Sequence, residues 1–289
     1  MRHPGGGRAA VGRLGRLGPV AAVARQVRLA LVVAVAALAL AACAPGSADA
    51  PTAAPTGPSP TATFELTGEL TIVAAASLSA AFDEIAAAFE AAHPGVDIRP
   101  ITYDGSSTLA TQLIEGAPAD VFASANETNL QRAVGAGLAA EGRVFATNTL
   151  VIAVPAGNPA GVESLEDLAD PGLAVVLCDA AVPCGAASRT LLERAGVVAT
   201  PSSLEQNVTA VLTKVAANEA DAGLVYATDA AGRDDVEAIV PPQAAEVVNR
   251  YPLAALDGAP NPGAARAFID FVLGPQGQAI LERHGFGAP

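Results

Sequence analysis

The sequence contains few of the residues that nucleic-acid binding and metal binding require. Lys214 is its single lysine, and 16 lysines and arginines together face 29 aspartates and glutamates. Because phosphate backbones are bound by basic surfaces, this balance argues against a nucleic-acid partner. The histidines are His3, His93 and His284, and no cluster of histidine, cysteine and carboxylate has the spacing of metal ligands. We therefore expect no metal ion that is coordinated directly by protein side chains.

Acidic residues are absent from positions 1–42, which carry six arginines and a continuous apolar stretch at 29–42. This pattern predicts a signal peptide. Positions 40–43 read Leu-Ala-Ala-Cys and look like a bacterial lipobox, in which the sulfur of Cys43 receives a lipid before cleavage. An apolar run of about 14 residues is short against the roughly 20 that a membrane-spanning helix needs. We interpret 1–43 as a lipoprotein signal peptide and expect a protein anchored by lipid to the outer face of the bacterial cell membrane.

Large apolar residues are nearly absent from 44–68, which is rich in proline, threonine, alanine and serine. Such a composition cannot bury a core, so this segment is predicted to be a disordered linker. The leader contains six of the 16 basic residues, so the processed chain is more acidic than the formal net charge of −13 for the whole sequence. The remaining chain is long enough for one large α/β domain or for two lobes.

Cysteine is also scarce, with three residues in the chain. If Cys43 carries the lipid, Cys178 and Cys184 remain as a pair in an oxidising compartment. We favour a disulfide between them, and two free thiols are the alternative.

After the linker, short apolar runs alternate with segments in which apolar residues recur at helical spacing. This alternation predicts an α/β fold with mixed, mostly parallel sheets flanked by helices. Two such series indicate two lobes, the first at 69–147 plus 254–289 and the second at 148–253. Two closing helices are predicted at 262–273 and 275–283, the second opened by a proline. Ligands of open α/β sheets bind beyond the carboxyl ends of the strands, which predicts a ligand cleft between the lobes.

The first lobe is expected to contain single strands at 69–75 and 96–102. Helices are expected to follow at 106–114 and 126–134, because apolar residues recur there at helical spacing.

Several strand-to-helix turns offer backbone N–H groups for binding an anion. The residues at these turns are Ser77, Ser106 with Ser107, Cys184, and Asn207 with Val208. Helix N-termini bind anions because their first N–H groups lack partners and the peptide dipoles point toward them. Taken singly, Ser77 and Ser106 would be ordinary helix caps, and Tyr226, at the end of a predicted strand, would be a core residue. Only their convergence in one cleft predicts an anion site. Asp104 is expected to turn toward solvent as a turn residue.

Seven blocks of the sequence share their residues, in order, with one known family. They lie at 74–78, 105–110, 115–125, 148–155, 182–185, 221–229 and 271–278. The most specific are Glu-Gly-Ala-Pro-Ala-Asp-Val-Phe, from position 115, and Ala-Ala-Ser-Leu, which ends at position 78. On these motifs the chain resembles, over 69–287, the periplasmic molybdate-binding protein of molybdate ABC importers, the ModA family. The resemblance implies a two-lobed type II periplasmic-binding-protein fold that closes on a tetrahedral oxyanion.

The ligand positions that the resemblance implies fall on five residues of this sequence: Ser77, Ser106, Cys184, Val208 and Tyr226. Cys184 and Val208 would act through their backbone N–H groups, and Ser107 is the less favoured alternative to Ser106. Many relatives have a small residue in place of Cys184, but a main-chain donor survives that change. A disulfide from Cys178 would fix the turn that presents this N–H group.

The same resemblance implies a solute-binding protein that captures molybdate or tungstate and delivers it to ABC permease subunits in the membrane. It implies a monomer that is not an enzyme and has no cofactor, with molybdenum present only as the bound oxyanion. A site of neutral donors without a carboxylate should bind fully deprotonated anions and penalise protonated phosphate.

Three alternatives stay open. A sister carrier would bind sulfate, thiosulfate or phosphate, which ligand competition would reveal. A hydrolase with Ser77 or Ser106 as nucleophile would need a histidine base, and neither turn resembles a nucleophile elbow. A cell-surface interaction module would show no stabilisation by a small ligand.

Overall fold

The computed structural model describes residues 65–289. The predicted signal peptide 1–43 and positions 44–64 of the predicted linker lie outside the described residues. The strands of the described part are β1 (Gly68–Leu70), β2 (Ile72–Ala75), β3 (Val96–Ile98), β4 (Thr102–Asp104), β5 (Val121–Ala123), β6 (Arg143–Asn148), β7 (Leu150–Pro155), β8 (Val175–Cys178), β9 (Ser203–Glu205), β10 (Ala222–Tyr226), β11 (Val236–Ile239) and β12 (Asn249–Ala255). The α-helices are α1 (Ser79–Ala92), α2 (Ser106–Ile114), α3 (Glu127–Gly135), α4 (Pro183–Ala195), α5 (Val208–Ala216), α6 (Ala227–Ala230), α7 (Pro262–Leu273) and α8 (Pro275–Arg283).

The first of two five-stranded sheets has the order β4-β2-β5-β12-β6. β2 is parallel to β4 and β5, whereas β12 is antiparallel to β5 and β6. Side chains alternate across this sheet. Ile72 and Ala74 pack in the same core as Phe82 of α1, while Val73 packs in a second core with Leu109 of α2. Because both faces are covered, β2 is buried at every position.

The second sheet has the order β11-β7-β10-β8-β9. β8 is parallel to β10 and β9, whereas β7 is antiparallel to β10 and β11. We call the part built on the first sheet the first lobe, with α1–α3, α7 and α8, and the part built on the second sheet the second lobe, with α4–α6. The predicted class, α/β with mixed sheets flanked by helices, is confirmed.

The chain passes between the lobes twice. It leaves the first sheet after Asn148, where β6 ends, and returns to it at Asn249, where β12 begins. These two asparagines are register partners in the first sheet, so the two crossings lie side by side. The return to the first sheet therefore begins before position 254, where the sequence pattern had predicted it. β12 lies between β5 and β6, and an apolar run alone does not say which sheet it joins.

Two strands that the sequence predicted as continuous are divided. The segment 69–75 forms β1, which pairs with β3 in a small separate sheet, and β2, which joins the first sheet. Between them, Thr71 donates its backbone N–H to Asp120 Oδ2 at 2.8 Å. The segment 96–102 is divided in the same way between β3 and β4. In contrast, α7 and α8 have the predicted bounds, and each begins with proline. No helix within 65–289 is long and apolar enough to cross a membrane.

Candidate functional site

A small cavity lies between the two lobes, where β2, β4 and β10 end. Its volume of about 10 Å³ is the room that about one water molecule needs, so it is too small for a sugar or an amino acid. Its lining residues are Ala75, Ala76, Ser77, Asp104, Gly105, Ser106, Ala125, Pro183, Cys184, Asn207, Val208 and Tyr226. The structure thus brings together all five residues predicted as ligands, and Ser107 is not among the lining residues.

Neither serine of the first lobe caps a helix. The residue before α1 is Leu78 and the residue before α2 is Gly105, and neither makes a side-chain cap. Ser77 lies in the short 3-10 turn that precedes α1, and Ser106 is the first residue of α2. The ordinary interpretation of these serines as caps is therefore wrong.

The hydroxyl groups at the cavity already have protein partners. Ser106 Oγ accepts a hydrogen bond from the Ala125 N–H at 3.0 Å, and the Tyr226 hydroxyl accepts one from Asn249 Nδ2 at 2.8 Å. A hydroxyl that accepts from the protein keeps its own proton for another acceptor. Ser106 and Tyr226 can therefore donate to an anion in the cavity.

A second tyrosine supports Ser77. Tyr251, on β12, shares a hydrogen bond of 3.0 Å between its hydroxyl and Ser77 Oγ. Burial raises the pKa of Tyr251 and of Tyr226 far above the ordinary value for a phenol. Both phenols therefore stay protonated and neutral at physiological pH.

Three helices begin at the cavity. Ser106 opens α2 in the first lobe, Cys184 is the second residue of α4, and Val208 opens α5. The first N–H groups of a helix have no acceptor inside the helix, and α2 and α4 have no side-chain cap. Helix N-termini from both lobes thus add partial positive charge to the cavity without a cationic side chain.

The turn before α4 is held by a disulfide and by a glycine. Cys178 and Cys184 are buried and joined by the predicted disulfide, with a Cα–Cα distance of 5.8 Å. A Cβ atom on Gly185 would lie 1.9 Å from the Asp179 carbonyl oxygen and 2.6 Å from that of Cys178. Because glycine has no Cβ atom, the backbone of this turn can close tightly and present the Cys184 N–H.

Asp104 does not turn toward solvent as the sequence suggested. It is half-buried, it contributes to the cavity lining, and its Oδ1 accepts a hydrogen bond from Asn207 Nδ2 of the second lobe at 2.9 Å. The expectation of a site without a carboxylate is therefore wrong. A turn residue was the natural interpretation of Asp104 because its partner is 103 positions away in the sequence.

Sequence reasoning missed two residues of β12 that support the site. Tyr251 holds Ser77, and Asn249 links Tyr226 to the Ala125 carbonyl oxygen, which accepts at 3.0 Å. Both are buried polar side chains two positions apart on one face of a mainly apolar strand. That alternation was a usable signal for residues that face a polar site.

Among residues 65–289, no histidine lies beside the serines of the cavity. His93 packs against Phe89, and His284 Nε2 lies 2.8 Å from Glu84 Oε2 at the surface. Across 65–289, no group of three histidine, cysteine, aspartate or glutamate side chains could hold a metal ion. In the part of the chain that the structure describes, the geometry offers hydrogen-bond donors to a small anion and places no histidine next to Ser77 or Ser106.

Comparisons with known proteins agree with this arrangement. The family described as Bacterial extracellular solute-binding protein matches residues 70–287. The molybdate-binding protein ModA of Mycobacterium bovis is 43% identical over 244 residues, which are 84% of this chain and 91% of that protein. ModA of Escherichia coli is 32% identical over 231 residues, with coverage of 76% of this chain and 89% of that protein.

The fold has solved counterparts as well. The periplasmic molybdate-binding protein of Azotobacter vinelandii has a TM-score of 0.64 at 21% identity, with coverage of 76% of this chain and 99% of that one. This likeness supports the two-lobed binding-protein fold, and the sequence relatives carry the assignment further. The chain belongs to the bacterial extracellular solute-binding proteins and, within them, to the family of the molybdate-binding protein ModA.

Proposed function

We propose that this protein is the solute-binding component of an ABC importer and captures molybdate between its two lobes. One observation carries the proposal: hydroxyl donors and helix N-termini from both lobes line a single small cavity. The membership of the ModA family supports molybdate as the ligand. The protein acts by binding and release, without a cofactor and without chemistry on the solute.

In this proposal the first lobe binds the anion first. Ser77 and Ser106 donate their hydroxyl protons to two of its oxygens. Closure then adds the second-lobe donors, which are the backbone N–H groups of Cys184 and Val208 and the hydroxyl of Tyr226. Each hydrogen bond to a charged acceptor contributes roughly 1.5 to 3 kcal/mol. Although the chain is strongly acidic, salt screens its long-range field beyond about 8 Å, so the local dipoles decide binding.

The donors also determine which anions fit. Molybdate, tungstate and sulfate are fully deprotonated near neutral pH and accept hydrogen bonds only, which matches the donors of the two lobes. Hydrogen phosphate carries a proton that needs an acceptor. The hydroxyl and N–H groups of the site act as donors to the anion, and the carboxylate of the lining, Asp104, is engaged with the Gly105 N–H and with Asn207. We therefore expect molybdate and tungstate to bind more tightly than hydrogen phosphate.

Isothermal titration tests the proposal. The chain from residue 44 onward, stripped of bound anion, is titrated with molybdate, tungstate, sulfate and phosphate in turn. We expect tight one-to-one binding of the first two, weaker binding of the smaller sulfate, and the least heat from phosphate. Tighter binding of sulfate or phosphate would indicate a sister carrier instead. No binding heat with any of the four anions would favour an interaction module.

The cellular setting is a separate part of the proposal. Processing at Cys43 would leave a lipid-anchored monomer on the outer face of the cell membrane, where the closed form docks on its permease. The full chain and its Cys43→Ala variant are to be expressed in a bacterium that processes lipoproteins. Membrane association of the first and its loss in the second are expected, and equal membrane association of both would refute the lipid anchor.

A further inference from the structure

A carboxylate beside the anion cavity bonds directly to the opposite lobe. Asp104 is the last residue of β4 in the first lobe, and Asn207 immediately precedes α5 in the second. Asn207 Nδ2 donates to Asp104 Oδ1 at 2.9 Å. The two side chains therefore meet across the cleft, and both contribute to the lining of the cavity.

Each partner also holds the start of a helix in its own lobe. Asp104 Oδ1 accepts the N–H of Gly105, the residue before α2, at 2.7 Å. Asn207 Oδ1 accepts the N–H of Ala210 in the first turn of α5 at 2.9 Å. One carboxylate oxygen thus connects the beginnings of α2 and α5, which carry Ser106 and Val208.

Gly105 makes the close approach of the lobes possible. A Cβ atom at this position would lie 2.1 Å from the Gln206 carbonyl oxygen and 3.2 Å from Val182 Cγ1, both in the second lobe. Its φ of −59° is open to any residue, so backbone conformation does not require glycine here. A side chain at 105 would collide only when the lobes are together.

The charge of Asp104 makes its position informative. A carboxylate near a bound anion repels it and weakens binding. A residue that acts only through its charge would therefore lower affinity, whereas one that holds the lobes together would raise it. The two roles predict opposite effects of removing the side chain.

We propose that Asp104, Gly105 and Asn207 form an interlobe latch that holds the closed state. Asp104 is a positioning residue: it touches no reacting group and acts by keeping the donors of α2 and α5 at a fixed separation. This inference rests on the proposed anion binding.

The first test is molybdate titration of the chain from residue 44, with and without Asp104→Ala. The latch predicts roughly tenfold weaker binding in the variant, although a negative charge has been removed, because a charge-assisted hydrogen bond is lost. The dissociation rate should rise while the association rate stays unchanged. Both rates are measured through the tyrosine fluorescence of the site. Equal or tighter binding by Asp104→Ala overturns the latch.

An exchange of the two partners separates the latch from local damage. Asn207→Asp keeps the cap of α5, because aspartate is as good a cap as asparagine, but it sets two carboxylates against each other. It should bind molybdate more weakly than Asp104→Ala. In the double variant Asp104→Asn with Asn207→Asp, one amide again faces one carboxylate, and most of the molybdate affinity should return. A double variant that binds molybdate no more tightly than Asn207→Asp alone contradicts the latch.

Gly105→Ala gives the steric test, with Gly258→Ala as its matched control, because a Cβ on Gly258 meets nothing within 4 Å. Gly105→Ala should lower molybdate affinity at least tenfold, because its Cβ collides with the second lobe in the closed state, while Gly258→Ala should bind like the unmodified protein. Unaltered affinity would contradict the close approach.

Small-angle X-ray scattering without anion keeps this inference distinct from the proposed function. Asp104→Ala should have a larger radius of gyration than the unmodified protein. If the unmodified protein binds none of the four anions, the proposed function fails, and the latch is then tested by the two radii of gyration alone. Identical radii of gyration would overturn the latch.

Discussion

The two lobes supply the anion cavity with donors of different kinds. In the proposed site the first lobe offers the side-chain hydroxyls of Ser77 and Ser106, whereas the second offers one hydroxyl, from Tyr226, and main-chain N–H groups at Cys184 and Val208. The first lobe therefore depends on which residue stands at each position. The second depends on the path of its backbone, which a disulfide and Gly185 fix before α4. Substitutions should consequently act differently in the two lobes.

The largest effect is expected where the backbone path of the second lobe is broken. In Gly185→Ala the added Cβ would meet the main chain of Cys178 and Asp179 at 1.9 to 2.6 Å, and backbone atoms cannot move aside as a side-chain end can. We expect a loss of about 3 kcal/mol in the free energy of unfolding, by overpacking, and no measurable anion binding. Thermal unfolding and titration measure both. Gly135→Ala, where a Cβ meets nothing within 4 Å, is the control, and equal melting temperatures of the two variants would contradict the assignment.

In the first lobe, removing one hydroxyl should be sufficient to weaken anion binding. Ser106→Ala loses a donor to the anion, so molybdate affinity should fall by roughly 1.5 to 3 kcal/mol. The buried Ala125 N–H loses its acceptor as well, which lowers the free energy of unfolding by about 1 to 3 kcal/mol. Ser107→Ala, next to it on the same helix but outside the cavity lining, is the matched control. Weaker binding in the Ser107 variant only would move the ligand role to that serine.

The disulfide can be removed without adding atoms. In the double variant Cys178→Ala with Cys184→Ala, the short loop loses its covalent closure, which should cost about 2 kcal/mol of the free energy of unfolding. Anion affinity should fall with it, because the turn that presents the N–H of residue 184 is less fixed. Chemical denaturation gives the free energy of unfolding, and titration gives the anion affinity, for the oxidised protein and for the double variant. Unchanged affinity at reduced stability would show that Gly185 alone holds the turn.

A feature of this structure could be predicted from the sequence where the residues that determine it are close together in the chain. The bounds of α7 and α8 could be predicted because Pro262 and Pro275 mark where each helix begins. The division of the segment 69–75 could not, since the break at Thr71 is set by Asp120, 49 positions away. Family motifs predicted five ligand residues that the structure brings to one cavity, while the positions of Tyr251 and Asp104 there depend on contacts between distant segments.

A partly buried carboxyl in the second lobe, Asp229, gives a pH test of the segment that presents Tyr226. Burial raises the pKa of Asp229 to about 7 from 3.8, while its Oδ2 accepts the Tyr226 N–H at 3.0 Å. A raised folded pKa means that stability is fully present below pH 3.8 and is lost as pH rises through about 7. Asp229→Asn keeps an acceptor for the N–H and should remove this loss, which is roughly 2 kcal/mol between pH 5 and pH 8. Thermal unfolding at pH 5 and pH 8 measures it, and the same pH dependence in both proteins would contradict the assignment.

The smallest effect on binding is expected at Val208, and it distinguishes the lobes most directly. Val208→Ala keeps the backbone N–H at the start of α5, and Asn207 still caps the helix through Ala210. The buried side chain contributes packing, so the free energy of unfolding should fall by about 1 to 2 kcal/mol. Molybdate affinity should stay within about twofold, because the donor is main chain and alanine favours the helix. A tenfold loss of affinity in folded protein would mean that the valine side chain itself shapes the cavity, and the contrast between a side-chain lobe and a main-chain lobe would not hold.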